Sequence, residues 1–161
     1  MAYTELGMDI SFVPALWHIS RVSHLAEKEL GRIGAAYGLS SADINLLGAI
    51  WNAETGVLRA TDLADLLRVS NAVLSPRVAR LEGKGLLVKR PSATDRRAAE
   101  LSLTPEGVTA IRSAFRDIGT DMKFVQHFFE LSEQDQEDLV RIMGKLHDQL
   151  FRNFISRSRG R

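Results

Sequence analysis

The order of local patterns between residues 59 and 104 constrains the fold more than any other feature of this 161-residue chain. Apolar residues recur with helical spacing at Leu63, Ala64 and Leu67, and a second helical pattern follows after a short break. Glycines then end that pattern, and two strand-like runs come next. Two helices joined by a tight turn and followed by a hairpin form a helix-turn-helix with a wing, which is a shape that fits DNA.

The second of these helices has a buried face and a face suited to recognition. Leu74, Val78 and Leu81 fall on the buried side. Ser70 precedes the helix as a good N-cap, because its hydroxyl can accept a backbone N–H that a helix start leaves unpaired. Short polar residues at the front and arginines behind them suit a helix that enters a major groove. The predicted DNA contacts of this helix and its cap are Ser70, Asn71, Ala72, Ser75, Arg77 and Arg80.

Pro76 falls inside this recognition helix. A proline there removes the N–H that would bond to the carbonyl of Ala72, and its ring crowds that carbonyl. Either the helix bends in its first two turns, or it starts at Ser75 with the proline as its first helical residue. We favour a continuous but bent helix.

The hairpin that follows is predicted as strands 86–90 and 98–103 around a turn-rich loop. The stretch 59–97 holds nine Lys or Arg and four Asp or Glu, a local charge of +5, whereas the rest of the chain carries −4. Such a basic stretch suits phosphate contacts, which make affinity depend on salt. Asp95 is placed to brace the loop by pairing with Arg97, which leaves Arg96 to reach into a minor groove. The two arginines could exchange these roles, and we expect both Arg96 and Arg97 to contact DNA.

The segments LADLLRVS, RLEGKGLL and DRRAAELSLTPEG resemble the MarR family of bacterial transcription regulators. The resemblance implies a mainly α fold with a small β-wing, that is, a winged helix-turn-helix plus a helical dimerisation region. Two helices would precede the winged unit, and two long helices that dimerise would follow it. Pro76 departs from the family, because many members carry a polar residue there. The residues that match the family's wing signature are Asp95, Arg97, Leu103, Thr104 and Gly107.

Both ends of the chain are predicted to be helical. An apolar stripe with spacings of three and four runs from Phe12 to Tyr37, and a second runs without a break from Val108 to Phe129. Ser132 would cap a last helix. Ser40 and Asp43 have capping-box spacing before another helix. The buried face of that helix is predicted as Ile44, Leu47, Ile50 and Trp51.

The two terminal stripes exceed what a small winged domain can cover. A self-complementary homodimer would bury them, and the alternative is that they pack within one chain. We therefore expect one MarR-like domain over 1–161, with a helical dimerisation region at 9–38 and 105–155. The winged helix-turn-helix would occupy 39–104.

A small-molecule site is also expected, on the first two helices. Trp17 and Arg21 lie one turn apart on the first helix, and Asn45 and Trp51 lie on the second. The family resemblance implies a cleft that binds aromatic acids, and an arginine beside a tryptophan suits an aromatic or phenolic anion. In the alternative interpretation, Trp17 anchors the dimer interface and Arg21 makes an ordinary ion pair.

Other functional classes find little support in the sequence. Cysteine is absent, which excludes disulfides, cysteine-ligated zinc and a thiol switch. His18, His24 and Glu27 could together offer metal ligands, but their spacing forms no tight metal motif and ordinary surface histidines are favoured. No catalytic or phosphate-loop motif appears, so we expect neither an enzyme nor a cofactor. No apolar run could span a membrane and no signal peptide is evident, so a cytoplasmic protein without membrane contact is expected.

Two functions follow from these patterns. The first is a dimeric regulator that binds a palindromic operator in double-stranded DNA and is released from it by a ligand, most simply a repressor. The alternative is a winged-helix module for protein–protein contact that has no sequence-specific DNA binding. The basic stretch and the arginines of the wing favour the first.

Overall fold

The computed structural model describes residues 9–92 and 98–158, with side chains as far as residue 150. The chain divides into two compact units, Met1–Met122 and Lys123–Arg161. The first unit contains helices α1 to α5 and a three-stranded sheet, and the second contains α6 and α7. The mainly α class with a small wing sheet is confirmed. The elements are α1 (Val13–Ala35), α2 (Ser41–Trp51), β1 (Val57–Arg59), α3 (Ala60–Leu67), α4 (Asn71–Gly83), β2 (Leu87–Pro91), β3 (Ala99–Leu103), α5 (Pro105–Asp121), α6 (Lys123–Glu130) and α7 (Glu133–Ser158).

Helix α2 lies at the centre of the first unit. The predicted capping box is present: the Asp43 backbone N–H donates to Ser40 Oγ (3.2 Å), and the Ser40 N–H donates to Asp43 Oδ2 (2.8 Å). Helices α1, α3 and α5 and strand β3 pack around it. The fully buried side chains of this core are Ile44, Leu46, Leu47, Ile50, Leu63, Leu74, Leu81, Leu87, Leu101 and Ile111.

One prediction for α2 is wrong. Trp51 was expected on the buried face, but 41% of it is exposed. Its ring stacks on Phe115 of α5, with centroids 5.6 Å apart. As the last residue of the helix, Trp51 lies at the edge of the core, where a large ring can pack on one face only.

The sheet contains a strand that the sequence did not reveal. The strand order is β1-β3-β2 and both pairings are antiparallel, so the central Leu101 pairs with Leu58 on one side and with Lys89 on the other. Strand β1 has three residues, which is too short for an alternating pattern to be recognised. The two predicted strands are confirmed to within one residue at each end.

A close backbone approach fixes the start of α5 against the residues that lead into strand β2. Thr104 caps α5 by accepting the Gly107 N–H at 3.0 Å, and its own hydroxyl donates to the Gly85 carbonyl at 2.6 Å. A Cβ on Gly107 would lie 1.8 Å from the Leu86 carbonyl oxygen, so only glycine fits at this position. The LTPEG segment of the sequence therefore holds the start of α5 onto the residue that leads into β2.

The apolar stripe predicted to run unbroken from Val108 to Phe129 is interrupted. Helix α5 ends at Asp121, and Met122 takes an extended conformation with φ −80° and ψ 116°. Met122 itself is only 4% exposed. The preceding Gly119, Thr120 and Asp121 are all poor helix formers, which lowers the cost of the break.

The second unit is a short helix followed by a long one. The predicted cap of the last helix is confirmed, because the Asp135 N–H donates to Ser132 Oγ at 3.2 Å. Apolar side chains along α7 are exposed within this unit, including Val140 at 64% and Leu150 at 70%. Within the described part of the chain, no helix is long and apolar enough to cross a membrane.

Candidate nucleic-acid interface

The turn between α3 and α4 depends on one left-handed residue. Arg68 ends α3 with φ 58° and ψ 40°. This conformation lets the Val69 N–H return to the Ala64 carbonyl at 3.1 Å, and the Arg68 guanidinium donates to the Asp65 carbonyl at 2.8 Å. The chain is thereby turned sharply, and α4 begins only three residues after α3 ends.

Helix α4 is continuous from Asn71 to Gly83 and includes Pro76. The continuity that we favoured from the sequence is confirmed. Leu74, Val78 and Leu81 are buried, as their spacing predicted. Ser70 is the N-cap residue, but its side chain makes no capping hydrogen bond, so that part of the prediction is wrong. Its hydroxyl points to no partner within α4, and the backbone carbonyl of Ser70 accepts the first helical N–H groups instead.

The first half of α4 presents free polar side chains. Asn71, Ala72 and Ser75 are exposed and Arg77 is half-buried. Among the residues that the structure describes, none makes a hydrogen bond or an ion pair with the side chains of Asn71, Ser75 or Arg77. Their donors and acceptors are therefore available to an external ligand.

Arg80, in the second half of α4, has a different environment. Its guanidinium donates to Oδ1 of Asp43, which is fully buried at the start of α2. Burial alone would raise the pKa of the Asp43 carboxyl, but the hydrogen bonds from Arg80 and Ser40 outweigh burial and hold that pKa below its ordinary value. The predicted DNA contact of Arg80 stays a prediction, but this side chain already joins the recognition helix to the core helix.

Two further polar contacts hold the end of α4. Lys84 Nζ donates to the Gly38 carbonyl at 2.6 Å, in the turn between α1 and α2. Glu82 Oε1 accepts the backbone N–H of Lys89 in β2 at 3.1 Å. Sequence reasoning missed these contacts and the Asp43–Arg80 pair, because the partners are 7 to 46 residues apart and lie on different elements.

The base of the wing is a closed hairpin. The Ser92 N–H donates to the Ala98 carbonyl at 2.9 Å, and Ser92 Oγ donates to Glu100 Oε1 at 2.6 Å. In the register of the sheet, Glu100 pairs with Arg59 of β1 and with Arg90 of β2, so two basic residues flank it across the three strands. The predicted wing residues Asp95, Arg96 and Arg97 lie outside the described residues.

The residues predicted to bind an effector are not brought together in one cavity. Asn45 lines a shallow groove of about 260 Å³ between α1 and α2, together with Ser23, Ala26, Glu27, Leu30 and Ser41. Trp17, Arg21 and Trp51 are exposed and do not line that groove. Trp17 instead makes an edge contact with His18, with centroids 4.9 Å apart, and Trp51 stacks on Phe115.

No metal site emerges from the acidic and histidine side chains. Within residues 9–92 and 98–150, no three of them approach closely enough to hold an ion. Besides the groove between α1 and α2 and the surface of α4, a pocket of about 260 Å³ on α5, lined by Thr109, Arg112, Ser113 and Arg116, can receive a ligand.

Residues 37–98 match a model of the MarR family. This segment is therefore similar to the MarR family of transcriptional regulators. The matched segment runs from the turn before α2, through the helix-turn-helix, to the base of the wing. It therefore contains α4 and both partners of the Asp43–Arg80 pair.

Several known proteins align with this chain over most of its length. The helix-turn-helix-type transcriptional regulator PecS of Dickeya dadantii (strain 3937) is 24% identical over 147 residues, which are 91% of this chain and 87% of PecS. The structure of the MarR family regulator AbsC from Streptomyces coelicolor is similar with a TM-score of 0.76 and 22% identity, over 89% of this chain and 96% of AbsC. A complex of S. aureus MepR with DNA has a TM-score of 0.73 and 22% identity, over 83% of this chain and 96% of MepR. The structural likenesses establish the fold.

Proposed function

We propose that this chain is a MarR family repressor that binds a palindromic operator in double-stranded DNA as a homodimer and is released by a small ligand. The observation that carries the proposal is the free face of α4, where Asn71, Ser75 and Arg77 have no polar partners among the residues that the structure describes. A helix that presents short polar groups and an arginine in its first turns can reach base edges in a major groove. The similar MepR structure is a complex with DNA, which supports the same use of this fold here.

The wing would supply the second contact. Asp95, Arg96 and Arg97 follow a hairpin base that Ser92 and Glu100 hold closed. We propose that one of the two arginines enters the minor groove while Asp95 braces the other. We also propose that the protein acts on DNA in the cytoplasm and that it is not an enzyme.

Dimerisation is proposed from exposed apolar surface. On α1, Leu16 is 60% exposed and Trp17 is 59% exposed. On α7, Val140 is 64% exposed and Ile142 is 46% exposed. Apolar surface on this scale is expected to be covered by a second copy. We propose that residues 9–38 and 105–155 form the dimer interface and that residues 39–104 bind DNA.

Ligand release is proposed from the groove between α1 and α2. Its lining residues Ser41 and Asn45 lie on either side of Asp43, which holds Arg80 of the recognition helix. A ligand there would act on the element that anchors α4, and it releases DNA only if it binds the free form more tightly than the DNA-bound form. An aromatic or phenolic anion that also contacts Trp17, Arg21 or Trp51 is the proposed class.

Selection of binding sites from random duplexes tests the proposal. We expect an enriched palindrome whose half-site centres are about 34–36 Å apart, the spacing of two recognition helices on one face of DNA. Affinity for that palindrome should fall steeply as salt is raised. Sedimentation should give twice the 17.9 kDa chain mass. Failure to enrich any sequence would contradict the proposal and favour a winged-helix module for protein–protein contact.

A further inference from the structure

The free face of α4 carries an apolar patch among its polar residues. Ala72 and Pro76 are exposed, and Val73 is 49% exposed. Residues three and four apart are neighbours on a helix surface, so these three side chains form one continuous patch. They lie opposite the buried face formed by Leu74, Val78 and Leu81.

This patch does not serve the stability of the first unit. A β-branched residue lowers helix propensity, and an interior proline costs a helix about 3 kcal/mol. Burial of Val73 offsets little of this free-energy cost, because 49% of the residue is exposed to solvent. Residues that disfavour the helix and cover no core are better explained by contact with something outside the chain.

The surroundings of the patch identify what covers it. Asn71, Ser75 and Arg77 border it, and the stretch 59–97 carries a charge of +5. An occupant must therefore be anionic overall and still offer a small apolar group. The major groove of DNA meets both requirements, since the C5-methyl of thymine is the apolar group that its base edges display.

We propose that Val73, with Ala72 and Pro76 beside it, recognises thymine methyl groups in the operator. This inference rests on the proposed DNA-binding function and adds the base that the first turns of α4 select. The patch is preorganised, because valine keeps one dominant rotamer in a helix and the proline ring cannot rotate. The short side chains of Ala72 and Ser75 permit the close approach to the groove floor that a methyl contact needs.

Replacement of thymine by deoxyuridine in the selected operator tests the inference, because it removes only the methyl group. At one or two positions in each half-site, the wild-type protein should bind about fourfold more weakly to the deoxyuridine duplex. Val73→Ala should bind the thymine operator more weakly and should no longer distinguish thymine from deoxyuridine at one of these positions. The matched control is Leu66→Ala, which truncates a 56% exposed residue of α3 and should retain the full discrimination.

The outcomes separate the inference from the function on which it rests. Specific binding that is insensitive to deoxyuridine at every position overturns the inference and leaves the proposed function intact. An equal loss for Val73→Ala on thymine and deoxyuridine duplexes also overturns it, because Val73 would then not act through the methyl. The absence of any specific duplex overturns the proposed function itself.

Discussion

The two halves of α4 have opposite relations to the rest of the molecule. In the first half, Asn71, Val73 and Ser75 are exposed and have no polar partners among the described residues. In the second half, Val78 and Leu81 are buried and Arg80 is bound to Asp43. The buried face formed by Leu74, Val78 and Leu81 therefore runs along both halves of the helix, whereas the bound arginine and the exposed polar side chains lie in different turns.

The anchored half also decides what the free half can do. Contacts from Arg80 and Lys84 attach α4 to the start of α2 and to the turn before it. Base recognition needs side chains held within a narrow range of positions, and this rigidity comes from the packing and hydrogen bonds behind them. The anchored half therefore orients the helix, and the free half is left to contact a ligand.

We expect the largest effect on stability from a substitution at the close contact between Gly107 of α5 and Leu86, which follows the anchored half of α4. Gly107→Ala places a Cβ 1.8 Å from the Leu86 carbonyl oxygen, just after α4 ends. The backbone must shift, and we expect the free energy of unfolding to fall by about 3 kcal/mol or more. Denaturant titration measures the change. Gly83→Ala is the matched control, because that glycine in α4 has open space around it. Equal stability of the two variants would contradict the close approach.

Arg80→Ala removes the principal polar contact of the anchored half. It leaves the buried Asp43 carboxylate with only its Ser40 partner, and an unpaired buried charge is costly. Since the guanidinium itself is 45% exposed, we expect a loss of about 2–3 kcal/mol in the free energy of unfolding. Arg77→Ala is the control and should unfold at nearly the wild-type denaturant concentration. If Arg80→Ala were as stable as the wild type, the Asp43–Arg80 pair would not anchor the helix.

The stabilisation that the Asp43–Arg80 pair contributes should decrease as the pH falls. The pKa of Asp43 is lowered in the folded chain relative to the ordinary carboxyl value of about 4, so the stabilisation is complete above that value. It is lost as the pH falls through the folded pKa. The difference in unfolding free energy between the wild type and Arg80→Ala should therefore be largest near neutral pH and should narrow toward pH 3. A difference that grows on acidification would contradict the assignment.

Arg77→Ala tests the free half of α4. We expect specific DNA binding to weaken by about 1–3 kcal/mol if Arg77 makes a bidentate contact with guanine, with little change in stability. Arg77→Lys should not restore it, because an ammonium cannot reproduce the planar fork of a guanidinium. Anisotropy titrations on the selected operator and on a random duplex make the comparison. An equal loss on both duplexes would assign Arg77 to phosphate instead.

Local patterns accounted for much of the fold. The buried residues of α4, the capping box of α2 and the two strands of the hairpin all follow from periodicity or from side-chain chemistry within a few residues. Three features did not follow in this way. Strand β1 is too short to show a period, Met122 interrupts the expected helix, and Trp51 lies at the edge of the core rather than inside it.

The sequence by itself determined which face of α4 is buried, because helical spacing assigns Leu74, Val78 and Leu81 to one side. It also determined the basic character of the winged segment, since charge is a property of composition. Only the tertiary structure decided that Arg80 is bound to Asp43 while Arg77 has no polar partner among the described residues. Both arginines lie on the polar side of the same helix, and what separates them is a carboxylate 37 residues away that folding brings to one of them.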